Sequence, residues 1–196
     1  MSANPPPALV LSVAFALGAC SSPDTFGEAR ADAGAGGNAT ATTTAYDRDM
    51  IERVAVTALA ERFSDACNVG DGEAFASLWH PARADWRIGP PMGREFHGAD
   101  SLAGALDEML GLWDFFVQTP NATVVEFSDD YQRATSRTHV VERGRLRDGS
   151  GNYNLSYYLD TLSKVGGQWR YESRTYYTTY QEDHDYFGKV YQDPIH

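Results

Sequence analysis

The stretch from Ile51 to Trp86, IERVAVTALAERFSDACNVGDGEAFASLWHPARADW, constrains the fold more than any other part of the chain. Apolar residues at Ile51, Val54, Ala55, Ala58, Leu59, Phe63 and Ala66 recur at helical spacing and predict one long amphipathic helix over 46–69. Asp47 or Asp49 can cap its positive end. Gly70-Asp71-Gly72 breaks that helix. Asp71 can then cap a second helix from Gly72 to Trp79, which turns Phe75, Leu78 and Trp79 inward and stops before Pro81. Ala84 to Ile88 alternates apolar and polar residues and reads as a strand.

Beyond this stretch the pattern continues with a short strand at Arg94 to His97 and a third helix from Asp100 or Ser101 to about Phe115. The period then changes. Val117–Phe127, Gln132–Leu146, Asn152–Val165 and Gln168–Tyr180 read as four long strands, the last two joined by the two-residue turn Gly166-Gly167. Helices followed by an antiparallel meander predict an α+β fold with the helices on one face of the sheet. Residues 181–196 form a polar, aromatic tail with little periodicity, which can pack on the domain or trail from it.

The N-terminal quarter reads as address and tether. Ala8 to Ala19 is apolar but shorter than the roughly 20 residues a spanning helix needs, and has the length of a signal-peptide core. It ends in Leu17-Gly18-Ala19-Cys20, similar to a bacterial lipoprotein signal, in which the cysteine is acylated. The preceding residues MSANPPP depart from that pattern in carrying no Lys or Arg. The expected organisation is a signal over 1–19, a disordered linker over 20–45, a domain over 46–180 and a tail over 181–196. The expected location is the cell envelope, lipid-anchored to the membrane through Cys20, or the secreted fraction.

A formal charge of −11 would repel a duplex, so no nucleic-acid partner is expected. The two cysteines, Cys20 and Cys67, form no CxxC, and the five histidines are scattered. Neither a metal nor a cofactor is expected.

The run Arg62-Phe63, Ala66, Asn68-Val69-Gly70-Asp71, Leu78-Trp79-His80-Pro81 and Ala84-Asp85-Trp86, followed by Gly98 and Leu102, then Tyr158, Asp160, Gly167-Gln168-Trp169-Arg170-Tyr171 and Arg174, resembles SnoaL-like domains of the nuclear transport factor 2-like superfamily. The resemblance covers roughly 46–180. It implies a cone-shaped, curved antiparallel sheet covered by three N-terminal helices, with a pocket inside. It also implies a homodimer formed through the outer sheet face, and a small, apolar ligand on which many members move protons.

The acid–base groups of relatives such as scytalone dehydratase do not carry over. Their Tyr-Asp pair falls at Cys67-Asn68, their first histidine at Val117-Gln118, and their partner tyrosine at Trp86. Asn and Gln do not titrate. A second histidine of those relatives falls near His139 or Glu142, which alternation puts on opposite faces of one strand.

His139 and Asp65 are therefore the catalytic candidates, with Arg62, Asn68, Trp86, Gln118 and Glu142 as candidate ligand contacts. The leading expectation is a pocket that binds a small apolar or aromatic molecule and can act on it as a cofactor-independent lyase, isomerase or hydrolase. The alternative is a non-catalytic envelope lipoprotein that uses the fold for dimerisation or partner docking. Asp160 stands opposite Ser173 if the Gly166-Gly167 hairpin is regular, and opposite Arg174 if one residue is bulged out.

Overall fold

The computed structural model describes residues 44–191. The expected signal segment, Cys20 and nearly all of the linker lie outside the described residues. Among the described residues, no helix is long and apolar enough to cross a membrane.

Helix α1 (Ala45–Val69) is capped by Thr44, not by Asp47 or Asp49. The Thr44 hydroxyl accepts from the Asp47 amide, and the Asp47 carboxylate accepts from the Thr44 amide at 3.0 Å, a reciprocal capping box. The helix ends at Gly70, whose φ of 72° is the left-handed conformation glycine adopts without steric cost.

The predicted apolar stripe of α1 is present but rotated. Val56, Leu59, Phe63, Ala66 and Cys67 are buried, whereas Ile51 and Val54 are 61% and 66% exposed. Glu52 takes the inward place at the start of the stripe. It pairs with Lys164 and accepts a hydrogen bond from Trp169 Nε1 at 2.8 Å. The rotation also turns Arg62 and Asp65 to solvent.

Helix α2 (Gly72–Ser77) begins at Asp71, whose carboxylate accepts from the Ala74 amide. Strands β1 (Asp85–Ile88) and β2 (Arg94–His97) follow. Helix α3 (Ala99–Leu110) is shorter than expected, because β3 (Trp113–Phe127) already begins at Trp113. Strands β4 (Arg133–Leu146), β5 (Gly151–Val165) and β6 (Gln168–Asp183) complete one curved, unclosed sheet of six strands in the order β2-β1-β6-β5-β4-β3. Every pair is antiparallel except β1 with β6.

The helices cover one face of the sheet, and the core lies between them. Phe63 of α1 is at its centre, within 5.2–6.3 Å of the rings of Phe75, Trp79, Trp86, Tyr158 and Tyr171. A fully buried ring of this kind contributes about 1.5–3 kcal/mol.

Two details of register shape the interior. Glu172 is bulged out of the β5–β6 ladder, which sets Asp160 opposite Arg174 rather than Ser173. At Gly144 a side chain would come within 2.6 Å of the Trp113 ring, so a glycine is needed for β3 to close over β4.

The tail packs rather than trails as far as Gly188. The His184 amide donates to the Gly151 carbonyl, the Tyr186 hydroxyl donates to the Asn152 carbonyl, and the Tyr186 ring meets Phe115 edge-on at 5.1 Å.

Candidate active site

The inward-facing residues of β3, β4, β5 and β6 fall into rungs that cross the sheet. One rung is Gln118, Glu142, Asn154 and Gln181, directly opposite one another on successive strands. All four line a cavity of about 100 Å³ between the sheet and α3. Its other walls are apolar and aromatic: Leu106, Met109 and Leu110 from α3, Trp86 and Ile88 from β1, and the rings of Trp113, Phe116, Tyr158 and Tyr176. Met92 and Gln181 are exposed at its rim, and the Cys67 thiol reaches it from α1.

Gln118 is held on every side. Asn68 grips its backbone, donating to the Gln118 carbonyl at 2.9 Å and accepting from the Gln118 amide at 2.7 Å. Its side-chain oxygen accepts from the Ser64 hydroxyl at 2.8 Å. That orients the amide NH₂ inward, where it donates to Glu142 Oε1 at 2.7 Å and to the Tyr158 hydroxyl at 3.0 Å.

Glu142 is buried and receives donors on both oxygens. Gln118 donates to Oε1, while Tyr176 and, at 3.4 Å, Asn154 donate to Oε2. The Tyr176 proton is committed to Glu142, so the Ser156 hydroxyl, 2.7 Å away, is the donor to Tyr176. All of these partners are neutral. Burial pushes the Glu142 carboxyl above its ordinary range, and the hydrogen bonds from Tyr176, Gln118 and Asn154 offset that only in part. A carboxylic acid whose pKa is raised by burial holds its proton more tightly than a free one and is equipped to give or take it in acid–base chemistry.

Tyr158 links this group to a second buried pair. Its hydroxyl accepts from Gln118, and its ring lies 3.8 Å from the Arg174 guanidinium, which also stacks over Phe63 and Tyr171. Arg174 donates to Asp160 at 3.3 Å, and Asp160 also accepts from Ser136 at 2.8 Å. Burial lowers the Arg174 pKa, but Asp160 and the neighbouring tyrosines outweigh that, so Arg174 stays a cation. Neither Arg174 nor Asp160 lines the cavity. They brace the tyrosine that does.

Of the residues expected from sequence, Trp86, Gln118 and Glu142 come together at the cavity wall, and Asn68 stands behind Gln118. The two catalytic candidates do not join them. His139 is exposed on the outer face of β4, its ring 5.9 Å from that of Tyr157 opposite, because strand alternation commits the inner face to Glu142. Asp65, like Arg62, faces solvent on α1. Asn152, Asn154, Tyr158 and Tyr176 were not singled out as site residues by sequence. For Tyr158 and Tyr176 the signal was the crowding of tyrosines on the last two strands, which suits sheet packing, a dimer face or an aromatic wall. For Asn152 and Asn154 it was strand parity alone. Among the described residues, no group of three or more His, Cys, Asp or Glu side chains is gathered as a metal site would require.

The sequence model of the SnoaL-like domain matches residues 48–175, well over half of the chain, and takes in Gln118, Glu142 and Asn154 of the cavity wall. The chain belongs to the SnoaL-like domain family. A comparison with curated proteins finds no match. Among solved structures, this SnoaL-like domain is similar to the hexachlorocyclohexane dehydrochlorinase LinA type 2, with 16% identity, a TM-score of 0.63, and 74% of this chain and 96% of that chain covered. It is also similar to LinA type 3 from Novosphingobium barchaimii, with 16% identity, a TM-score of 0.62, and coverage of 74% and 97%. A scytalone dehydratase candidate from Novosphingobium aromaticivorans shares 20% identity at a TM-score of 0.62, with coverage of 74% and 99%. At these identities the likeness is one of fold. In this SnoaL-like domain the carboxyl at the cavity wall is Glu142.

Proposed function

We propose that this protein binds a small apolar or aromatic molecule in the cavity, and that Glu142 moves a proton on it without a cofactor. One observation carries the reading. Glu142 is a buried carboxyl of raised pKa in a wall that otherwise carries only amides, a hydroxyl, a thiol and apolar and aromatic side chains, and it is oriented by Tyr176, Gln118 and Asn154. A carboxyl in such surroundings costs stability, and it is the kind of group that acid–base catalysis uses. Structural neighbours that carry the names dehydrochlorinase and dehydratase accord with a proton-transfer reaction.

The test is native mass spectrometry of the purified full chain for a retained small molecule, followed by incubation of that molecule in deuterated water. Deuterium uptake catalysed by the wild type and reduced at least about a hundredfold in Glu142→Gln supports the reading. Equal uptake with both proteins would remove Glu142 from the chemistry.

A second reading is favoured by the outer sheet face. Val117, Val124, Leu155, Leu159, Tyr177 and Tyr180 are all exposed there. Exposed apolar and aromatic residues on one sheet face, with Arg137 and Arg143 among them, suit a second copy of the chain. Analytical ultracentrifugation of the wild type and of Leu159→Glu tests it: a dimer lost in the variant supports the interface, and a wild-type monomer excludes it. The envelope location rests on the Cys20 motif alone. Membrane fractionation of Cys20→Ser tests that part, because a variant that stays membrane-bound is not anchored by a lipid on Cys20.

A further inference from the structure

The cavity has one sign of charge. Among the described residues, no Lys, Arg or His lines it, and Glu142 is the one carboxyl in its lining. The hydrogen-bond partners of Glu142 are an amide, a phenol and a second amide, none of which can neutralise it. The buried cation nearest in the network, Arg174, is engaged with Asp160 on the far side of Tyr158. Two more acceptors belong to the same wall: Oδ1 of Asn152 and Oδ1 of Asn154 are buried without a partner. Surplus acceptors in an enclosed site call for a ligand that brings donors. The remaining lining includes the rings of Trp86, Trp113, Phe116 and Tyr158, whose faces attract a cation.

We propose that the cavity takes a small aromatic or apolar molecule bearing a protonated amine, with the ammonium seated against Glu142. This rests on the cavity being a ligand site, and adds the class of ligand. The ammonium supplies the positive charge and the N–H donors that the wall lacks, and its apolar body fills the space between α3 and the aromatic rings. A carboxylate-bearing ligand would meet Glu142 and the amide oxygens with no cation to pair with. A net charge of −11 also favours the approach of cations over anions.

The same arrangement makes binding depend on pH. The titratable groups that face Glu142 are Tyr176 from β6, Tyr158 from β5 and Cys67 from α1, and burial keeps all three protonated. Helix α3 presents only Leu106, Met109 and Leu110 to the cavity. An arriving ammonium therefore draws the proton off Glu142 alone, and amine affinity rises with pH through the Glu142 titration.

The test uses three probes that share one ring: benzylamine, benzyl alcohol and benzoate, titrated into the full chain at neutral pH and followed at the Met92 and Met109 methyl groups. The expected order is benzylamine, then benzyl alcohol, then benzoate, with the amine on the order of tenfold tighter than the alcohol. In Glu142→Gln that preference falls to about unity. Alcohol or benzoate binding as tightly as the amine would overturn the ammonium seat and leave the pocket reading standing. An amine preference that survives in Glu142→Gln would also overturn the seat, since the selectivity would then come from elsewhere. No methyl response to any of the three would overturn the pocket reading and this inference together.

Discussion

Tyr176 donates its hydroxyl proton to Glu142 across the width of β5, and Ser156, on the intervening strand, holds Tyr176 in place. The contact fixes one carboxylate oxygen while burial penalises its charge. The native carboxyl thus releases its proton at higher pH than the unfolded one, whose ordinary value is 4.5. The native state holds the extra proton, so the stability linked to Glu142 is full below pH 4.5 and is lost as pH rises through the native pKa. Thermal unfolding of the wild type and Glu142→Gln between pH 4 and 8 checks this. The wild type should lose stability relative to the variant as pH rises. Two parallel curves would contradict it.

The Asp160–Arg174 pair predicts a large asymmetry between single and double variants. Arg174→Met leaves Asp160 buried without its cation and should cost about 3–5 kcal/mol in urea unfolding. Adding Asp160→Asn to Arg174→Met should recover part of that loss, because the uncompensated charge is removed with its partner. A double variant as unstable as the sum of the two singles would contradict the pairing.

Cys67 is a reporter for the integrity of the cavity. Burial pushes its thiol pKa far up, and nearby Arg174 offsets this only in part, so the thiol stays protonated and unreactive. In a Cys20→Ser background, iodoacetamide should modify native protein about a hundredfold more slowly than protein in urea, as read by intact mass. Equal rates would mean that the α1 wall of the cavity is open.

Gly151 is the point where the tail crosses the sheet. A methyl group there would collide with the His184 carbonyl and the Tyr186 ring. Gly151→Ala should therefore cost about 1–3 kcal/mol and release the tail. Hydrogen exchange reads this directly: the His184 amide, which donates to the Gly151 carbonyl, should lose its protection.

Much of the architecture was legible in the sequence because period is a local property. Every helix and strand was expected within a few residues of its place, and the family resemblance supplied the curved sheet with a pocket under the helices, though not the parallel pairing of β1 with β6. Phase was less legible. The α1 stripe has the expected period but is turned so that Glu52 is inside and Ile51 outside, and only the distant partners Lys164 and Trp169 make a buried glutamate tolerable.

The same holds on β4. Alternation placed His139 and Glu142 on opposite faces, but which face is inner depends on pairing with Gln118 and Asn154 on neighbouring strands. Histidine was the natural acid–base candidate by its ordinary pKa, whereas the buried glutamate acquires that capacity only through its surroundings. The packing of the tail had no periodic signal at all, since it depends on isolated contacts at Gly151, Asn152 and Arg145.

The central claim is that the space beside Glu142 receives a ligand. The methionines test it most directly. Met92 and Met109 line the cavity, while Met50 is exposed on α1 and serves as the internal reference. The measurement is a titration of methyl-labelled protein with benzyl alcohol, followed by carbon–proton correlation spectra. Saturable shifts at Met92 and Met109 with Met50 unmoved are the predicted result. No shift, or equal drift at all three, would contradict the account.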